Sequence, residues 1–186
     1  MSYINTLKRI REGKTNYRKR KALLIGKHIF TTVHISNENV QVQIIKPNKN
    51  GDLILSSTHS RELLKYGWKL SRNSLPACYL TGLLAGLKTL KSGVNELILY
   101  LSKKSFSSRV AAVVKGMIDA GLNIQIDKDV IPSADRIEGK HIVEYAKSLD
   151  SEEYKARFSR ILAAGVKPED YSKHFNEIKN LIMKGV

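Results

Sequence analysis

The stretch LPACYLTGLLAGL, residues 75–87, constrains the chain most: thirteen nearly apolar residues in a row. Leu80, Leu83, Leu84 and Leu87 recur at i, i+3, i+4 and i+7, the spacing of one helical face. Asn73 or Ser74 can cap such a helix, and Pro76 suits its first turn. With Tyr79 and Thr81 inside it, the run is too short to span a bilayer, which takes about 20 residues. It must therefore be buried in protein. Gly82 and Gly86 share one stripe of the helix, and each costs roughly 1 kcal/mol of helix propensity. Their presence predicts a close helix-to-sheet approach. Hydrophobic residues are 42% of the 186, enough to surround this helix with a core, which excludes wholesale disorder.

The flanking pattern supplies the rest of that core. Residues 28–35 alternate with a period of two, and so do Val40, Val42 and Ile44 against Gln41 and Gln43. SNEN (36–39) and PNKNG (47–51) are turns, and a third strand runs through Leu53, Ile54 and Leu55, completing an antiparallel meander. A short helix over 61–66 ends at Gly67. ELILYL (96–101) reads as a buried strand, Val110, Val113, Val114, Met117 and Ile118 as an amphipathic helix stopped by Gly121, and 123–126 as a last strand. The expected fold is α/β: a mixed sheet made of the meander plus β-α-β-α units, with right-handed crossovers. After Pro132 the chain reads as all helical. One stripe holds Ile142, Tyr145, Ala146 and Leu149. Asp150 with Glu153 resembles a capping box for a helix ended by Gly165, and Pro168 opens a last helix with Tyr171, Phe175, Ile178 and Ile182 inward. The aromatics of this region are expected to pack rather than to stack on bases.

Charge divides the chain differently. The net charge is +15, and residues 1–21 hold eight basic residues (Lys8, Arg9, Arg11, Lys14, Arg18, Lys19, Arg20, Lys21) against the single acid Glu12. Residues 134–186 are nearly balanced, with ten bases and nine acids. A leader this cationic repels itself and is expected to be mobile when free, and a polyanion relieves the repulsion by releasing its own counterions. A membrane surface is a poorer partner, because Arg18 to Lys21 put charge on every side of a helix. The expected organisation is a basic arm (1–26), an α/β core (27–132) and a helical C-terminal region (133–186) on or beside the core. A lone cysteine excludes an internal disulfide framework and suits a reducing, cytoplasmic interior, and the polar start predicts no secretory signal.

Signs of catalysis are weak. Gly13-Lys14-Thr15 looks like the end of a phosphate-binding loop, but the glycine needed at position 8 is Lys8, and no strand precedes it. The sheet order is also that of ribonuclease-H-type nucleases, which is the alternative function: a metal-dependent nuclease or RNA-processing enzyme. Such enzymes hold two metal ions between strand carboxylates, and no acid cluster is visible. The five histidines lack metal spacing, and Cys78 in its apolar helix is expected to be an inert thiol. The expectation is a non-enzyme with no cofactor and no small-molecule substrate. A third class is a protein-docking module whose arm finds a polyanionic partner.

A second contact region lies at 56–73, where hydroxyls, cations and aromatics interleave with only Glu62 acidic. Its candidates are His59, Arg61, Tyr66, Trp68, Lys69 and Arg72. Cations and hydroxyls can hold phosphate and ribose, and Tyr66 and Trp68 could stack on unpaired bases. Equally, both rings could plug the edge of the core.

Four segments carry a family resemblance: REGKTNYRKR (11–20), HSRELLKYGWK (59–69), PACYLTGLLAGL (76–87), and KGMIDAGL (115–122) with ADRIEGKHIVEYA (134–146). Together they resemble the archaeal and eukaryotic branch of the large-subunit ribosomal protein L-eighteen family, whose eukaryotic member is called ribosomal protein L-five. The resemblance implies a non-catalytic protein that binds 5S rRNA, touches large-subunit (23S-type) rRNA and neighbouring ribosomal proteins, and helps build the central protuberance. Carried over by position, Arg11, Lys14, Thr15, Tyr17, Arg18, Lys19, Arg20 and Lys21 would line RNA, and the charge of the arm adds Lys8 and Arg9 as RNA-binding candidates. His59, Arg61, Tyr66, Trp68 and Lys69 match a second block, and Arg136 and His141 a third. Asn16 stands where the family pattern expects Asp. Residues 123–126 depart from the usual Pro-His continuation, and 100–114 is atypical. The end at Val186, without a long extension, resembles the archaeal form.

Overall fold

The computed structural model describes residues 7–101 and 106–185, so the start of the arm and part of the atypical 100–114 stretch lie outside the described residues. Two short helices, α1 (Lys8–Arg11) and α2 (Tyr17–Gly26), precede the strands β1 (Phe30–Ile35), β2 (Val40–Lys46) and β3 (Leu53–His59). A 3₁₀ segment (Ser60–Tyr66) leads to α3 (Leu75–Lys91). Then come β4 (Glu96–Leu99), α4 (Ser108–Asp119) and β5 (Asn123–Ile124). The sheet order is β3-β2-β1-β4-β5, with the first three strands antiparallel and β1-β4 and β4-β5 parallel. This is the mixed sheet that the sequence predicts.

Three strands differ from expectation, β5 in covering only Asn123–Ile124 of the predicted 123–126. β3 continues through Ser56, Ser57 and Thr58, which pair with Ile44, Gln43 and Val42, because the β-branched Thr58 buries its side chain on the helix-covered face. β4 stops at Leu99, although the Tyr100 amide still donates to the Thr31 carbonyl at 2.9 Å. Val33, Val40, Val42, Ile44 and Leu97 point from the sheet into the core, where α3 and α4 cover them.

The glycine stripe does serve a close approach, but to a helix. A methyl group at Gly82 would lie 2.0 Å from the Val113 carbonyl oxygen of α4, and one at Gly116 would lie 2.2 Å from the Tyr79 carbonyl oxygen of α3. The expected helix-to-sheet contact is thus corrected to a reciprocal helix–helix crossing, with Gly86 against Ala120 and Met117 extending it. The sheet is instead spaced by the branched side chains of its strands.

Helices α5 (Ala134–Glu138), α6 (Lys140–Lys147), α7 (Ser151–Arg157), α8 (Ser159–Ala163) and α9 (Tyr171–Gly185) follow, the last preceded by a 3₁₀ turn (Pro168–Asp170). Asp150 sits at the N-cap of α7 without a side-chain capping bond, so the predicted box does not form. The predicted single helix breaks at Phe158, whose buried ring packs against Tyr145 and Tyr154. α9 buries Tyr171, Phe175, Ile178 and Ile182 as its period requires. Phe175 meets Tyr79 of α3 (ring centroids 5.7 Å), and the Tyr171 hydroxyl lies 3.3 Å from Ser74 Oγ. Burial pushes the Tyr171 phenol up to about 12, so it is a neutral packing group.

His174 of α9 stacks on Trp68 (5.5 Å, 13°) with its Nε2 buried and unpaired. Burial holds this imidazole below its ordinary 6.5, opposed by Glu177 and aided by Lys69. The unfolded chain takes the proton more readily, so this contribution to stability is present above about pH 6.5 and lost as pH falls below it. Denaturation midpoints are expected to drop on acidification from pH 7 to 5. His174→Phe should remove part of that slope. A residue of it will remain from His141, which burial and Arg136 displace in the same direction.

The crossing gives a second expectation. Gly82→Ala and Gly116→Ala should each lower stability by about 3 kcal/mol in urea unfolding, since backbone on the facing helix must move. The double variant should cost less than the sum, because one separation of the two helices accommodates both added methyl groups.

Candidate nucleic-acid interface

The arm is helical but buries nothing: neither α1 nor α2 has a buried residue. Its internal order comes from polar contacts. Glu12 pairs with Lys14 at 2.7 Å and with Lys8 at 4.0 Å, and Arg9 Nε donates to Thr15 Oγ1 at 2.8 Å. Asn16 accepts the Lys19 amide at 3.1 Å and caps α2, doing the work an Asp would do there without its charge.

One side chain ties the arm to the sheet. Arg20 donates from both terminal nitrogens to Asp52, at 2.6 and 2.8 Å, and also to the Asn48 carbonyl at 3.4 Å. The hydrogen bond to Asp52 raises the guanidinium pKa further. Such a two-pronged pair fixes orientation as well as position. With Arg20 turned inward, Tyr17, Arg18, Lys19 and Lys21 are left exposed on α2, and Lys8, Arg9, Arg11 and Lys14 are exposed before it. Arg20 is thus a clamp, and the other cations are the surface it presents.

The second block lies at the opposite end of β3. His59 Nδ1 accepts the Arg61 amide at 3.1 Å while Glu62 accepts the His59 amide at 3.0 Å, a capping box that opens the 3₁₀ segment. Glu62 also pairs with Lys88 of α3, so the one acid of this block is already neutralised. Arg61 and Lys69 are exposed; Tyr66 and Arg72 are half-buried. Trp68 is a correction. It is fully buried, its indole N–H donates to the Ser71 carbonyl at 3.1 Å, and its ring meets Tyr171 edge-on at 5.9 Å. The ring has no face free for a base; it plugs the core, as one of the two sequence readings had it.

Arg136 and His141 sit on α5 and α6, both exposed, on either side of Gly139. Gly139 has φ +79°, and a Cβ there would strike the Tyr171 ring at 2.7 Å. Tyr171 in turn touches Trp68 and Ser74, so the third block is carried beside the second, away from the arm.

What joins the arm to the second block escaped the sequence reading. Strand register stacks Thr32, Gln43 and Ser57 in one row and His34, Gln41 and His59 in the next. All six are at least partly exposed, on the face turned away from α3 and α4. No acid occurs in β1, β2 or β3. The result is an acid-free hydrogen-bonding patch, about 7 Å along the strands at 3.3 Å per residue and about 10 Å across the three of them, with cations beyond both ends. The alternation was visible in the sequence; that it aligns across three strands is set by register.

Among the described residues no group of three His, Cys, Asp or Glu could hold a metal, and no helix is long and apolar enough to cross a membrane. Cys78 is buried and its thiol pushed up to about 12 by burial, so it stays protonated. An α/β scaffold that holds a clamped cationic arm at one end of a sheet face whose first three strands carry no acid defines a class, that of polyanion-binding proteins. Sequence comparison makes the class specific. Residues 2–100 match the family described as ribosomal large subunit proteins 60S L5 and 50S L18. Proteins named large ribosomal subunit protein uL18 are similar throughout. That of Thermofilum pendens is 46% identical over 181 residues (95% of this chain, 92% of the relative), and that of Saccharolobus solfataricus 48% identical (94% and 90%). The uL18 of Methanothermobacter thermautotrophicus is 42% identical over 182 residues (97% and 95%). The chain belongs to this family of large-subunit ribosomal proteins.

Removing the Trp68 ring should act on stability alone. Trp68→Ala is expected to cost about 4 kcal/mol in thermal or urea unfolding. Folded Trp68→Phe protein should keep its affinity for RNA in filter binding.

Proposed function

We propose that this protein, a structural and non-enzymatic constituent of the cytoplasmic large ribosomal subunit, binds 5S rRNA and joins it to large-subunit rRNA in the central protuberance. The observation that carries this is the Arg20–Asp52 clamp: it spends one cation on the fold and aims the others outward from a sheet face that has no acid on its first three strands. Phosphate contacts from the arm supply affinity, and the Thr32–Ser57 and His34–His59 rows offer hydrogen-bonding groups to ribose and base edges. Arg61, Lys69, Arg72, Arg136 and His141 mark the side that meets further rRNA or neighbouring ribosomal proteins.

No observation favours the nuclease alternative. Of the acids near the sheet, Asp52 is held by Arg20, and Asp119 accepts from Tyr79 at 2.9 Å and Lys115 at 2.7 Å. Each is engaged in holding the fold.

Affinity for 5S rRNA, measured across salt concentration, tests the proposal. Eight arm cations less Arg20 leave seven, and at about −0.9 per phosphate the log–log slope should be no steeper than about −6 from the arm. Deleting residues 1–21 should flatten the slope and weaken binding by orders of magnitude while the core stays folded, because the arm buries no side chain. A truncated protein that binds 5S rRNA as well as the full chain, or Mg²⁺-stimulated cleavage of the RNA, overturns the proposal.

A further inference from the structure

We propose that the cavity between the arm and the sheet receives a single unpaired nucleotide of the bound RNA, its base drawn out of the stack; this rests on the 5S rRNA reading above. The cavity has a volume of about 220 Å³ and lies between Arg9 and Thr15 of the arm, Leu23 of α2, and Phe30, Thr32 and Ile45 of the sheet. At about 30 Å³ per water it has room for roughly seven waters, a space for one flat ring system rather than for a base pair.

Its chemistry changes from floor to mouth. Leu23, Phe30, Ile45 and Pro47 make an apolar floor, and Tyr100 stands at its side, edge-on to Phe30 at 5.3 Å and 63°. An unstacked base gains most from such a surface. One wall is the Asp52 carboxylate, immobilised by Arg20. Arg20 engages each oxygen once, and each retains a further lone pair as an acceptor. Fixed acceptors favour a base with an exocyclic amino group over uracil, whose edge sets two carbonyls around one N–H. At the mouth are Arg9, whose Nε is given to Thr15, and Lys14, which pairs with Glu12. Cations at the rim, acceptors on the wall and rings at the floor match phosphate, base edge and base face in that order.

The test uses the full chain and cognate 5S rRNA, with base-edge chemical probing at nucleotide resolution and affinity measured beside it. One unpaired base is expected to become protected on binding. An abasic substitution at that nucleotide should weaken binding about tenfold, and uridine there should bind more weakly than an amino-bearing base. Leu23→Trp fills the cavity from α2 without changing any charge. It should restore the reactivity of that nucleotide, remove the abasic penalty and leave the salt slope as it was. If wild-type protein binds tightly while every unpaired base keeps its free reactivity, the cavity holds no nucleotide and the broader reading stands. The same follows if the abasic substitution costs nothing in the wild-type complex. If the protein does not bind 5S rRNA at all, both fall together.

Discussion

Everything else in this molecule is arranged around a helix that has almost no exposed face. α3 is covered by the sheet on one side, by α4 on a second and by α5 and α9 on a third. α4 can come so near only because Gly82 and Gly116 let two backbones pass at a separation no side chain could tolerate. The two glycines weaken their own helices, and the loss is offset by the area of apolar surface that the close crossing removes from water. Because α3 also carries Tyr79, Ser74 and Lys88, the same burial fixes α4 through Asp119, α9 through Tyr171 and the 3₁₀ segment through Glu62.

That packing leaves one face of the sheet without a helical cover, and it is the face whose charge suits a polyanion. Three acids near it are matched to cations of the fold, Asp52 to Arg20, Glu62 to Lys88 and Glu12 to Lys14, and Glu96 is exposed at the start of β4. The surplus of cations in the sequence is therefore concentrated, in space, along the arm and at the far end of β3. An interface of this kind draws its affinity for a polyanion largely from many modest phosphate contacts, and that affinity depends on ionic strength accordingly.

Much of this was legible in the residues. The long apolar run, the meander, the crossover helices and the inward face of α9 follow from periods of 3.6 and 2 with their turn residues, and the structure has them all. What the sequence concealed were relations between distant segments. The glycines announced a close approach but not its partner, since Val113 and Gly116 lie some thirty positions on. Trp68 stood among cations and hydroxyls that suggested an exposed surface; only the docking of α9, a hundred residues later, buries it. Arg20 was indistinguishable from its neighbours in the arm until Asp52 came within reach. The alignment of Thr32, Gln43 and Ser57 depended on strand register, which hydrophobic alternation specifies for the inner face and reveals for the outer only once the strands are paired.

The stacking of Trp68 on His174 has a practical corollary. The chain contains one tryptophan, and its indole is enclosed by rings contributed from α9. Its emission wavelength and intensity therefore report whether the C-terminal helix is seated, while the buried ring offers no face to a bound partner. Assembly can thus be followed optically on the native chain, with no label attached, and loosening of the tail distinguished from loss of the ribonucleotide partner.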